Sequence, residues 1–142
     1  MRTGSLSTKL DVNLYETGRL NQMVQQFGKW HQMPEDAVFQ ISLSIDELVS
    51  NIVMHGSLSQ PQAHEIILRL TISNREIHAE IEDDGRAFNP LEAPEPDIDA
   101  PLQERSIGGM GILLAKRLMD AMHYSRIGCR NVITLTKRVG VA

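Results

Sequence analysis

The sequence has 142 residues, a formal net charge of -4 and a pI near 5.7, with 42% hydrophobic and 23% charged residues, the balance of one globular domain around one core. No basic excess exists to neutralise a phosphate backbone, which argues against sequence-independent nucleic-acid binding. The longest apolar runs, such as residues 112–115, are too short for a bilayer, and residues 1–10 carry no signal-peptide stretch.

Residues 5–12 read as a short strand. Residues 14–31 read as an amphipathic helix whose Leu20, Val24, Phe27 and His31 recur at helical spacing, with Arg19, Gln22, Gln25 and Gln26 toward solvent. Pro34 suits the first turn of a second helix, where Glu35 and Asp36 complement the helix dipole, and that helix is expected to run to about His55 and stop at Gly56. A hairpin follows. Ile66, Leu68, Leu70 and Ile72 alternate with polar neighbours, Ser73–Asn74 turn, and Ile77, Ala79 and Ile81 alternate again. Residues 89–107 hold prolines at 90, 94, 96 and 101 and acids at 92, 95, 97, 99 and 104, the composition of a long functional loop or lid. A third helix is expected over 109–122 and a closing hairpin over 123–128 and 131–138, with Cys129 as a turn residue. A lone cysteine forms no internal disulfide and fits a reducing compartment, and the five histidines show no zinc-ligand spacing. The order implies a mostly antiparallel sheet with helices on one face.

Three segments carry chemistry. On the second helix Val38, Ile41, Ile45, Leu48 and Ile52 form a buried stripe, and Glu47, Asn51 and His55 form a polar stripe beside it, each one turn after the last. On the helix alone, an exposed polar face is the simpler account. In Ile81-Glu82-Asp83-Asp84-Gly85 the inward parity of 77, 79 and 81 continues to Asp83, whose buried carboxylate would need partners; the exocyclic amine of adenine is one suitable donor. An acidic turn closing a strand is the competing account. The third segment, Gly108-Gly109-Met110-Gly111, opens a helix, where backbone amides attract anions and glycine lets phosphate approach. It is neither a P-loop nor a dinucleotide fingerprint.

Taken together, ELVSN at 47–51, DDGRAF at 83–88 and GGMGILLAKRLMD at 108–120 resemble, in order and context, the N, G1 and G2 boxes of the GHKL (histidine kinase/Hsp90-like) ATPases. The chain is most similar to the stand-alone anti-sigma-factor serine kinases, the RsbW-like group, through ELVSNIVMHG, DDGRAFNP, ERSIGGMG and RNVITLTKR, over about residues 7–138. The resemblance implies a single-domain α/β two-layer sandwich of Bergerat type over 1–142, with ATP and Mg²⁺ as cofactors and an ATP lid at about 89–107. It also implies that Glu47 activates the attacking hydroxyl, Asn51 ligates Mg²⁺, Asp83 reads adenine with support from Gly85, and Gly108, Gly109 and Gly111 wrap the phosphates. His55, Arg105 and Thr134 are further candidates near the nucleotide. Ala87 and Asn89 depart from the common pattern, which often has glycine and an acid there.

The implied function is an ATP-dependent serine/threonine protein kinase acting on a small STAS-type anti-sigma-factor antagonist, with a sigma factor as a further candidate partner, in a bacterial-style cytoplasm. Arg19 on the first helix is implied in partner docking, and dimerisation through the domain itself is allowed. The alternatives are a nucleotide-dependent binding module without turnover, which would not need Glu47, and a detached histidine-kinase catalytic domain.

Overall fold

In the computed structural model, residues 4–13, 15–58, 65–92 and 109–139 are described, without the side chains of 55–58, 109 and 110. The expected lid segment beyond Glu92, with Arg105 and Gly108, lies outside the described residues.

Hydrophobic alternation builds the sheet. Strands β1 (Gly4–Leu10), β2 (Ile66–Ser73), β3 (Glu76–Asp83), β4 (Ala121–Ile127) and β5 (Arg130–Arg138) pair in the order β1-β2-β3-β5-β4, and every pairing is antiparallel. The β2–β3 register sets Leu68 opposite Ile81 and Leu70 opposite Ala79, so these side chains share one face and are fully buried beneath the helices. The opposite face is polar: Arg69 reaches Glu80 at 2.8 Å and Glu82 at 3.1 Å, Arg130 reaches Glu82 at 3.0 Å, and Lys9 reaches Glu65 at 2.8 Å. That face carries little apolar area, mainly Ile67 and Val132 beside Glu82, so the helices pack on the other side.

Helix α1 (Glu16–Trp30) buries Leu20, Val24 and Phe27, and His31 is buried just after its end. The expected stripe is therefore the packed one. The helix ends where Gln32 takes a positive φ of 56° and the Met33 amide returns to the Gly28 carbonyl at 2.9 Å. A Cβ on Gly28 would press on the Val38 side chain, so glycine here permits the close α1–α2 crossing.

Helix α2 (Glu35–Leu58) passes through Gly56 instead of stopping there. An interior glycine costs a helix only about 1 kcal/mol relative to alanine, which packing readily offsets. Residues 35–54 are also long and apolar enough to satisfy a membrane-span criterion, at a mean hydropathy of 1.3, which revises the expectation drawn from short apolar runs. In the fold this helix is the centre of the core, with Ile41, Ile45, Leu48 and Val49 fully buried.

The remaining boundaries move for tertiary reasons. The β2–β3 turn is Asn74–Arg75, one residue beyond the expected Ser73–Asn74, with positive φ at both, as a twist-matched two-residue hairpin requires. Helix α3 (Gly109–Leu118) ends four residues early because Asp120 joins the sheet: its amide bonds the Thr136 carbonyl, and its carboxylate accepts from the Arg138 amide. Lys137 Nζ caps the Leu118 carbonyl at 2.7 Å. Gly128, with φ 59°, and exposed Cys129 form the β4–β5 turn, matching the expected role of that cysteine.

Candidate functional site

The expected residues fall at two places on the helix side of the sheet: the end of β3, and the contact between α2 and the first turn of α3. Asp83 is the last inward residue of β3 and is only 5% exposed, as the strand's parity requires. Its Oδ1 accepts the Gly85 amide at 2.9 Å, closing a tight turn, and Asn131 Nδ2 at 3.1 Å. Burial pushes its carboxyl above the ordinary range, while the Asn131 and Gly85 hydrogen bonds pull the other way.

Glu47 and Asn51 sit one turn apart on α2, both half-buried. Asn51 Nδ2 donates to the Glu47 carbonyl at 2.8 Å, which orients the amide and turns its Oδ1 away from the helix backbone. The Glu47 carboxylate lies against Gly111, in the first turn of α3; a Cβ at residue 111 would occupy the same space as that carboxylate. A negative charge there also meets the positive end of the α3 dipole. Two segments separated by more than sixty residues of sequence thus become one structure, the carboxylate of the second helix seated in the glycine-rich turn.

The other expected residues divide. Gly85 is buried beside Asp83, and Gly109 opens α3. The side chain of His55, with Arg105 and Gly108, lies outside the described residues. Thr134 requires correction: register pairs it with Glu80 and His123, on the polar face of the sheet, because Asn131, Ile133 and Leu135 take the inward parity. The residue of β5 that meets Asp83 is Asn131, directly opposite it. Its signal was readable, since a polar residue in phase with Ile133 and Leu135 has to point inward.

The flanks are tied down as well. Asn89, where the resemblance expects an acid, accepts the Leu91 amide at 2.9 Å and starts the short 3₁₀ turn Pro90–Glu92. Lys116 of α3 donates to the Leu91 carbonyl at 2.8 Å, tying the short 3₁₀ turn to α3. Arg19 is exposed as expected, yet it has partners: Glu16 of the same helix at 2.7 Å, and the Lys9 carbonyl at 2.9 Å, which links α1 to β1.

An antiparallel sheet with helices on one face, a buried carboxylate at a strand end and a helix that starts in glycine together define an ATPase domain of the GHKL type. The histidine kinase-like ATPase domain family matches residues 12–137, and the chain belongs to that family. It is similar to the serine/threonine-protein kinase BtrW of Bordetella bronchiseptica, 35% identical over 99 residues that make up 69% of this chain and 68% of that protein. The RsbU and RsbW domains of Rv1364c from Mycobacterium tuberculosis superpose with a TM-score of 0.68 at 16% identity, covering 96% of this chain and 32% of that one. The histidine kinase domain of a blue-light-activated kinase from Erythrobacter litoralis superposes with a TM-score of 0.54 at 14% identity, over 92% of this chain and 62% of that one. This chain therefore spans about a third of the first solved chain, and both likenesses speak to the fold.

Proposed function

We propose that the chain is an ATP-dependent serine/threonine protein kinase of the anti-sigma-factor type, which phosphorylates a small STAS-type antagonist protein and sequesters a regulatory partner such as a sigma factor in the cytoplasm. One observation carries the reading. The Glu47 carboxylate is seated against Gly111 at the start of α3, where phosphate would bind, and on the α2 face that also presents Asn51. A pure binder has no use for a carboxylate at that point, and the kinase named among its relatives is 35% identical.

In this reading Asp83 offers Oδ2 to the exocyclic amine of adenine, because its known hydrogen bonds fall on Oδ1. The first turn of α3, with Gly109 and Gly111, presents amide donors to the phosphates, and Gly108 and Arg105 are the further candidates for phosphate contact. An amide oxygen is a hard ligand, so Asn51 Oδ1 fits Mg²⁺, which would neutralise phosphate charge and draw its other ligands from phosphate and water. No cluster of three or more His, Cys, Asp or Glu side chains able to hold a metal forms among the described residues. Glu47 orients the attacking hydroxyl and takes its proton; the serine oxygen–γ-phosphorus bond forms as the bond to the β,γ-bridging oxygen breaks, and ADP leaves. His55, one turn beyond Asn51, is the further candidate on this face.

The test is incubation with γ-labelled ATP and purified STAS-type antagonists, followed by phosphosite mapping. Label on a serine or threonine of one antagonist is expected. Normal ATP binding with no transfer would leave a nucleotide-dependent binder and overturn the kinase assignment, and label retained on histidine would favour the histidine-kinase alternative.

A further inference from the structure

We propose that Asn131 is the positioning residue of the nucleotide-base pocket: it holds the Asp83 carboxylate in its reading orientation and clamps the 83–88 turn to the β4–β5 hairpin. This rests on the reading of Asp83 as the group that recognises adenine.

Asn131 is only 3% exposed and stands opposite Asp83 in the β3–β5 register. Its Nδ2 donates to Asp83 Oδ1 at 3.1 Å and to the Arg86 carbonyl at 2.8 Å. Its Oδ1 accepts from the Phe88 amide at 3.2 Å, the Tyr124 hydroxyl at 2.6 Å and Arg126 Nη1 at 3.2 Å. Arg126 Nη1 also donates to the Gly85 carbonyl at 2.8 Å. Both donor protons of the amide are used, and its oxygen is surrounded by donors. A flipped amide would set its NH₂ against three donors and its oxygen against a carboxylate, so only one orientation is consistent with the network.

That orientation has two effects at the pocket. Asp83 Oδ1 is engaged by two donors, so Oδ2 becomes the oxygen offered to ligand. The Arg86 and Phe88 backbone, which follows the Asp83–Gly85 turn, is tied to the same side chain as the carboxylate itself. The position of the turn and the direction of the carboxylate therefore cannot vary separately. Asparagine suits the position because it donates and accepts from one planar group; aspartate would set two carboxylates together, and alanine would remove all five of these hydrogen bonds.

The experiment has two arms. In the first, the Asp83 carboxyl is titrated by carbon NMR without nucleotide in wild type, Asn131→Ala and Tyr124→Phe. The charged groups acting on Asp83 are Asp84, which opposes its ionisation, and Arg126, which favours it. Loss of the Asn131 donor moves the Asp83 midpoint to higher pH, and Tyr124→Phe, which removes one donor to the amide and keeps the ring on the core, moves it less. In the second arm, ATP and GTP affinities are measured across pH: Asn131→Ala weakens ATP by about ten-fold at neutral pH and narrows the ATP/GTP ratio. Binding falls off at a higher pH than in wild type, in step with the shifted titration, which a merely structural defect would not produce. Tyr124→Phe keeps the test available if Asn131→Ala fails to fold. An unmoved Asp83 titration together with intact ATP selectivity overturns the role of Asn131. Equal ATP and GTP affinity in wild type overturns the adenine reading of Asp83, and this proposal with it.

Discussion

Gly111→Ala is the substitution in which helix propensity and function should part. Alanine is favoured over glycine by up to roughly 0.5–1 kcal/mol in a helix interior and by less in a first turn, so on propensity alone the variant gains a little stability. The structure opposes this, because the new methyl would fall well inside the 3.0 Å that real Cβ atoms keep, and what it meets is the Glu47 carboxylate. A glutamate side chain can swing away, so the fold should survive, with the melting temperature within a few degrees of wild type. The carboxylate is then displaced by on the order of 1 Å, and misplacement of that size costs roughly 10²-fold in rate, or about 2.7 kcal/mol of transition-state stabilisation. Single-turnover phosphoryl transfer, read with thermal unfolding and ATP affinity, separates the terms: turnover falls while the folded fraction holds. A double-mutant cycle sharpens the test. If Gly111→Ala acts by moving Glu47, it costs little further in a Glu47→Gln background. Wild-type turnover in Gly111→Ala, or full additivity in the cycle, would refute the reasoning.

Asp83→Asn would set an amide donor against the adenine amine and weaken ATP by about ten-fold or more, and calorimetry that finds ATP and GTP equal in the wild-type protein contradicts that assignment. Glu47→Gln retains most ATP affinity and loses transfer, because the carboxylate acts on the nucleophile; retained kinase activity would move the search to Asp46. Glu65 pairs with Lys9 and Arg130, and the hydrogen bonds from those two cations lower its pKa to about 2. Its folded value lies below the ordinary 4.5, so its stabilising contribution is present above that pH and fades as pH falls toward 2; urea midpoints of Glu65→Gln should depend less on pH across that window, and an unchanged slope would argue against the pair. Arg19→Ala removes the tie between α1 and the Lys9 carbonyl and, if α1 docks the partner, weakens partner binding by about 1–3 kcal/mol with ATP affinity unchanged. A pull-down at wild-type strength would place the interface elsewhere.

Local pattern was enough for much of this protein. The two-residue alternation through Ile77, Ala79 and Ile81 by itself carries Asp83 to the core side, because successive side chains of a strand must alternate between its faces. The spacing of Leu20, Val24 and Phe27 likewise locates the buried side of α1, since helix periodicity is set by backbone geometry alone. The expected single-sided arrangement of helices also followed from pattern, and the sheet differs only in being wholly antiparallel among the described residues.

What pattern could not reach was anything decided between distant segments. Gly56 is a stop signal in local terms, but α2 continues to Leu58, and α3 yields its last turn because Asp120 finds hydrogen bonds on β5. Parity alone turns Asn131 inward and Thr134 outward, but only the β3–β5 register puts Asn131 opposite Asp83. The seating of Glu47 against Gly111 depends on how α2 meets α3, a packing relation that neither helix encodes alone. Periodicity is a property of the chain's own geometry, whereas register and crossing are settled by which polar groups and methyl-sized gaps distant segments present to each other.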